Sequence, residues 1–252
     1  MRSFTIKNEI NSIFERHQSK LLDQFMTSKI WDTPIKAIIF DNDGTLMDTE
    51  WAYEWAFEQI TGQKESLEMK AKLMGKAALE SCSILIDFAN LNETPEHLSD
   101  RRTKLLEQCW KSVKLLPGAD WIVSEFKKKG IPMVIATSSR RHVFEQKSFN
   151  HKDFISNMNY IVCGNEVSRS KPNPDIFLYA LGKFENVKPE EALVFEDSPL
   201  GIKAANRAGI PSVFIPDPNL DGESLLKIED AKPILTLKSL QDFDFSQFIW
   251  AI

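Results

Sequence analysis

The sequence is short of the residues that several common functions require. Its three cysteines, Cys82, Cys109 and Cys163, are widely spaced and include no Cys-x-x-Cys. That excludes a zinc framework of familiar spacing and a disulfide scaffold, and points to structural thiols in a reducing compartment. The four histidines, His17, His97, His142 and His151, are scattered. None pairs with a serine or cysteine pattern that would make a nucleophilic triad. Positive charge is also in deficit: 31 basic residues stand against 36 acidic ones, a net −5. A nucleic-acid binder is expected to carry a basic face, so that class is excluded. No glycine-rich loop of the nucleotide-binding type occurs. No apolar run approaches the length of a bilayer span, so no membrane partner is expected.

What is present describes a globular chain. Hydrophobic residues make up 42% of 252 residues and charged residues 27%, enough for a core and a solvated surface. The length allows one large domain, or one domain carrying an insertion. Because the overall charge would repel an anion, any anion site must be local, built from a metal, a lysine or backbone amides.

The first 34 residues precede the first clear strand. Ile6, Ile10, Ile13, Phe14, His17, Leu21 and Phe25 follow helical spacing, which predicts an amphipathic helix, and Pro34 ends the extension. A mitochondrial presequence is the alternative reading of this segment. Glu9, Glu15 and Asp23 oppose it, since such segments are poor in acids, and a cytoplasmic location is expected.

From Lys36 onward, short runs apolar at every position alternate with helical patterns. The runs are Lys36 to Asp41, Ile131 to Thr137, Ala192 to Glu196 and Pro211 to Ile215, with a weaker one at Tyr160 to Cys163. Such runs suit strands buried on both faces. Helical patterns lie at Ala119 to Lys129, Arg140 to Phe149, Pro174 to Phe184 and Pro199 to Ala208. The alternation predicts an α/β fold, a Rossmann-like parallel sheet flanked by helices. Asn173 and Ser198, each followed by proline, read as helix N-caps.

Residues 49–116 break the alternation. They hold helical segments and no convincing strand, and are too long for a crossover. They read as a helical cap inserted after the first strand, hinged near Leu46–Thr49 and Leu116–Gly118. The expected organisation is therefore an extension at 1–34, a core at 35–48 and 117–252, and a cap at 49–116.

The polar residues that end the strands carry the chemistry. Asp41-Asn42-Asp43-Gly44-Thr45 places two carboxylates two positions apart after a buried strand, where open α/β sheets bind ligands. One can attack phosphorus and hold a metal; the other can serve as acid and base. Gly44 lets the backbone turn sharply and approach an anion. Thr137-Ser138-Ser139 can hydrogen-bond phosphate oxygens. Lys171, held extended by Pro172, can offset the charge of nucleophile and phosphate together. Glu196 and Asp197 can complete a magnesium site. Each group alone has an ordinary structural reading; their order, one at each strand end, is what argues for a site.

These four segments resemble the signature segments of the haloacid-dehalogenase superfamily, and the insertion resembles its small helical cap. Within that superfamily the chain resembles the pseudouridine-5′-phosphatase group. The segments that carry this likeness are Asp41 to Glu50, Leu73-Met74-Gly75-Lys76-Ala77-Ala78-Leu79-Glu80, Ala136 to Arg140, Lys171 to Leu178 and Val194 to Gly201. The resemblance implies Asp41 as nucleophile and magnesium ligand. It implies Asp43 as acid and base, lending its backbone carbonyl to the metal. Thr137 and Ser138 would bind the phosphoryl group with Gly44, and Lys171 would hold that group and Asp41. Asp197 would bind magnesium, with Glu196 direct or through water. Gly75 and Lys76 would read the leaving group from the cap.

The implied activity is magnesium-dependent hydrolysis of a small phosphorylated metabolite through an aspartyl-phosphate. Pseudouridine 5′-phosphate is the first candidate, with glycerol 3-phosphate or a sugar phosphate behind it. The chain is expected to be a monomer or a weak homodimer. A phosphomutase is disfavoured because Tyr53 stands where those enzymes carry a cap-hinge histidine. Dehalogenases, phosphonatases and signalling receivers lack the second aspartate. Trp51, Trp55 and Phe57 could line a pocket, but packing within a cap helix is the simpler expectation.

Overall fold

The computed structural model describes residues 29–251; the helix expected over Ile6 to Phe25 lies outside them. In chain order the strands are β1 (Trp31–Ile35), β2 (Ala37–Phe40), β3 (Met47–Asp48), β4 (Lys114–Leu115), β5 (Met133–Thr137), β6 (Tyr160–Cys163), β7 (Ala192–Glu196), β8 (Ser212–Phe214), β9 (Leu235–Thr236) and β10 (Phe248–Trp250). The α-helices are α1 (Glu50–Thr61), α2 (Leu67–Leu73), α3 (Ala78–Ala89), α4 (Pro95–Leu106), α5 (Ala119–Lys128), α6 (Arg141–Lys147), α7 (Lys152–Ile155), α8 (Asp175–Leu181), α9 (Pro199–Ala208) and α10 (Gly222–Glu229).

Six strands form one parallel sheet in the order β6-β5-β2-β7-β8-β9. The apolar runs are buried on both faces for a simple reason of period. Ile38 and Phe40 point into a core with Phe126, Leu193 and Phe195. Ile39 points the other way, among Val134, Val194, Phe177 and Ala204. Side chains alternate along a strand, so a run with no polar position needs a helical layer on each side. The central strand β2 has β5 on one side and β7 on the other. Their carboxyl ends therefore share one crevice.

Helices α1 to α4 lie between β3 and β4, which pair antiparallel through Met47 with Leu115 and Asp48 with Lys114. The inserted helices bury their own apolar cluster: Phe57, Ile60, Met69, Cys82, Leu85 and Leu98. A second cluster, Ala52, Ala56, Leu106, Cys109 and Trp110, meets Met47 and the partly buried Val143 and Ile155. Phe57 is buried in the first cluster and Trp55 packs on the second. Trp51 is partly exposed and donates its indole N–H to Asp48 O at 3.0 Å. Among the described residues no helix is long and apolar enough to cross a membrane.

Three local expectations require correction, and one holds. Helix α2 falls in a stretch with no assigned element; Ser66 caps it by accepting from Met69 N at 3.2 Å. Residues 31–34, assigned to the extension, belong to β1, which pairs in parallel with β10. Pro34 is tolerated there because the ribbon has only two strands and is all edge. Asn173 is no N-cap: Pro174 occupies that position. The Asn173 amide and backbone N–H both donate to Ser170 O instead. Ser198 does cap α9, accepting from Gly201 N at 3.0 Å, which stabilises that helix by about 1 kcal/mol.

Candidate active site

The sheet delivers the expected groups to one place. Asp41 follows β2 directly, and its N–H continues the ladder by donating to Phe195 O at 2.9 Å. Thr137 ends β5 and Glu196 ends β7, with Asp197 one residue on. Lys171 enters from the loop before α8, across a cis peptide to Pro172. Asp41, Thr137, Lys171, Glu196 and Asp197 are all buried.

Lys171 Nζ lies 2.5 Å from Asp41 Oδ1 and 2.5 Å from Glu196 Oε1. It also sits 4.8 Å from the centre of the Phe177 ring, which fixes it from the apolar side. Glu196 Oε2 accepts from Ser198 N at 2.7 Å and Ser198 Oγ at 3.0 Å. Asp197 Oδ1 accepts from Thr45 Oγ1 at 3.2 Å. Gly44, at φ +81°, presses its backbone on Asp197, and a Cβ there would overlap that carboxylate. Its N–H donates to Met47 O. That amide closes the turn here.

Electrostatics follow from the crowding. Burial, then the charges of Glu196 and Asp43, push the Asp41 carboxyl up to about 7 against the opposing Lys171 ammonium. Burial, with Glu196 and Asp41 beside it, pushes Asp197 well above the ordinary range. Burial alone would lower Lys171; the two carboxylates outweigh it and hold the ammonium charged. Asp41, Glu196 and Asp197 each offer an oxygen within 4.8 Å of the others. Three buried carboxylates share one ammonium, so the excess negative charge fits a hard divalent cation with oxygen ligands. Asp43 is not part of that group by its side chain.

The Asp43 carboxylate faces a different set. Its Oδ2 accepts from Ser139 Oγ at 2.9 Å and Thr137 Oγ1 at 3.2 Å. Its Oδ1 lies 2.6 Å from Lys147 Nζ. Burial would raise Asp43, but the charge and hydrogen bond of Lys147, with the Ser139 hydroxyl, hold it below the ordinary carboxylate range. The Thr137 hydroxyl also accepts from Ser139 N at 3.0 Å. Lys147 is the residue sequence reasoning missed; Ser139, named there among the phosphate donors, here donates to Asp43. Ser138 contributes its backbone to a tight crossing, where a Cβ on Gly164 would strike the Ser138 carbonyl.

The two cap residues singled out in the sequence, Gly75 and Lys76, stand in different surroundings. Gly75, at φ +71°, lies against Ser198, to whose Oγ an added Cβ would come within 3.0 Å. The cap thus touches the core beside Glu196 and Asp197. Lys76 instead pairs with Glu80 at 2.5 Å, one turn along the cap.

A family model described as haloacid dehalogenase-like hydrolase matches residues 38–215. The Arabidopsis thaliana protein named (DL)-glycerol-3-phosphatase 1, mitochondrial, is 35% identical over 218 residues, covering 83% of this chain and 72% of that one. A Drosophila melanogaster protein named "Probable pseudouridine-5'-phosphatase" is 36% identical over 217 residues, covering 83% and 92%. Among solved structures, CbbY from Rhodobacter sphaeroides in complex with phosphate is 25% identical with a TM-score of 0.69, covering 82% of this chain and 96% of that one.

Proposed function

Because the chain belongs to the haloacid dehalogenase-like hydrolases, we propose that it is a magnesium-dependent phosphatase that cleaves a small phosphate monoester through an aspartyl-phosphate on Asp41. The observation that carries this reading is the Asp41–Lys171–Glu196 arrangement, with Asp197 beside it. An ammonium bridging a nucleophilic carboxylate and a second acid holds the attacking oxygen in place and offsets the charge of an incoming phosphoryl group.

Asp41, Glu196 and Asp197 would hold the cation, with the Asp43 backbone carbonyl. When bound, that ion supplies positive charge to the phosphoryl oxygens. The protein's own groups do the rest. Asp41 attacks phosphorus as the ester oxygen departs. Asp43, ionised at rest beside Lys147, takes up a proton as the substrate binds, gives it to that oxygen, and regains one from the water that hydrolyses the acyl phosphate. Lys171 and the hydroxyl of Thr137 hold the transferring group.

The two curated relatives above support pseudouridine 5′-phosphate or glycerol 3-phosphate as substrate. The first is preferred because cap residues Leu73 to Glu80 carry that group's pattern. The enzyme acts as a monomer or weak homodimer in the cytoplasm. Phosphate release from a panel of pseudouridine 5′-phosphate, glycerol 3-phosphate, sugar phosphates and nucleotides, with magnesium and with EDTA, tests the proposal. The expected result is magnesium-dependent turnover with the highest kcat/KM on pseudouridine 5′-phosphate. A preference for glycerol 3-phosphate would move the assignment to the second substrate, and no release from any ester would end it.

A further inference from the structure

Lys147 ends α6 and is fully buried, a rare state for lysine unless it is paired. Its three N–H bonds have three acceptors. They are Asp43 Oδ1 at 2.6 Å, the Tyr53 hydroxyl at 2.9 Å and Ser139 Oγ at 2.9 Å. An ammonium has three donors, so none is left for a substrate. The charge also rests 4.7 Å from the Trp110 ring centre and 5.2 Å from that of Tyr53. Tyr53 lies on α1 and Trp110 at the end of the inserted helices, whereas Asp43 and Ser139 follow core strands. Lys147 is therefore a junction between cap and core.

We infer that Lys147, seated by Tyr53 and Trp110, is a positioning residue that fixes the Asp43 carboxylate for proton transfer to the leaving group. Asp43 has two other anchors, Ser139 Oγ and Thr137 Oγ1, and both reach the same oxygen, Oδ2. Without Lys147 the carboxylate can pivot about that oxygen. With it, both oxygens are pinned and the plane of the group is set. The inference rests on the reading of Asp43 as acid and base, and deepens it.

Leaving-group dependence separates positioning from general damage. An alkyl phosphate departs as a strongly basic alkoxide and needs the proton; p-nitrophenyl phosphate departs as a stable phenolate and needs it little. In Lys147→Met, kcat for an alkyl phosphate is expected to fall roughly 100-fold, the lower end of what a placed general acid contributes. For p-nitrophenyl phosphate it should fall less than about 5-fold, because that leaving group gains little from the proton. KM should stay nearly unchanged for both. Asp43→Asn sets the ceiling. If Asp43→Asn slows both substrates equally, the acid/base reading itself fails. If Asp43→Asn discriminates but Lys147→Met slows both equally, or neither, the positioning inference alone is overturned. Should Lys147→Met not fold, as circular dichroism would reveal, Tyr53→Phe decides. It removes one anchor of the ammonium and should show the same discrimination at smaller amplitude. An unchanged ratio of alkyl to aryl rates in Tyr53→Phe would then overturn the inference.

Discussion

Lys70 of the cap lies 2.5 Å from Asp217 of the core, its Nζ on Oδ2. Lys70 is on α2 and Asp217 follows β8, so this ion pair ties the cap to the core beyond the hinges. Glu54 on α1 accepts from the same ammonium at 2.6 Å. The lysine is buried, while Glu54 is half exposed. Lys70→Met should destabilise the protein by about 2 kcal/mol, below the range for a fully buried pair because one partner is solvated. The pH dependence has a definite sign. Burial would raise Asp217, but the hydrogen bonds from Lys70 and Asn219 hold it below its ordinary value. A depressed acid stabilises above its unfolded pKa and loses that contribution as pH falls through the folded one. Urea titrations should show the Asp217 part of the Lys70→Met penalty at pH 7 and its loss below about pH 4; Glu50, 3.8 Å from the same ammonium and raised chiefly by burial to about 7, adds a further step near neutrality. A penalty independent of pH would mean lost packing, not a lost ion pair.

Asp41→Asn should abolish turnover while leaving the fold intact. The expected loss in kcat exceeds about a thousandfold, as for removal of other covalent nucleophiles. Far-UV circular dichroism should not change. Crowding also predicts a gain: burial and the neighbouring charges of Glu196 and Asp43 disfavour the ionised carboxylate, so an uncharged side chain relieves repulsion. The metal-free variant should melt higher than the metal-free wild type at pH 8. A lower melting temperature would show that the Lys171 pair outweighs the crowding.

Metal binding should be visible without any assay of activity. A ligand that binds only the folded state at a hundred times its Kd stabilises by about 2.7 kcal/mol. For a chain of this size that is roughly 5–10 °C in Tm. Wild-type protein should show such a rise with magnesium and lose it with EDTA. In Asp197→Asn, which removes one of the three clustered acids, the shift should nearly vanish. An undiminished shift would place the cation elsewhere.

Much of this arrangement can be read from the residues, and the exceptions have physical causes. Asp41, Thr137 and Glu196 each follow an apolar run with no polar position, and such a run has few alternatives to a buried parallel strand. Lys171 is marked by the prolines around it. Lys147 carries no comparable sign. At the end of the short helix Arg141–Lys147 it reads as one more solvated base, and its burial comes from Trp110 and Tyr53, which lie far away in sequence. Strand β1 is hidden for a similar reason. Residues 31–34 read as the end of the N-terminal extension, yet Trp31–Ile35 pairs with Phe248–Trp250 at the other end of the chain. The alternation of Trp31, Thr33 and Ile35 on the more buried side was the available signal. Lys76 carries no sign in the sequence of its pairing in this structure beyond Glu80 standing one helical turn away.

Gly201→Ala provides the most demanding test of the carboxylate geometry. Replacing glycine by alanine within a helix ordinarily stabilises it by about 1 kcal/mol. Gly201 lies in the first turn of α9, where its N–H meets the capping Ser198. A Cβ there would overlap the Glu196 carboxylate. Glu196 cannot yield freely, because one oxygen takes Lys171 and the other takes the Ser198 N–H and hydroxyl. The variant should therefore lose stability and at least about tenfold in kcat, the scale expected when a catalytic group is misplaced. Glu196→Asp in the same protein shortens the acid by one methylene and should recover part of the loss, a coupling a double-mutant cycle measures. Gly62→Ala is the control. At φ +71° with nothing within 4 Å of the new Cβ, it should cost about 1 kcal/mol of backbone strain and leave kcat unchanged. If Gly201→Ala behaved like this control, Glu196 would not be held where Lys171 needs it, and the bridge to Asp41 would have to be anchored some other way.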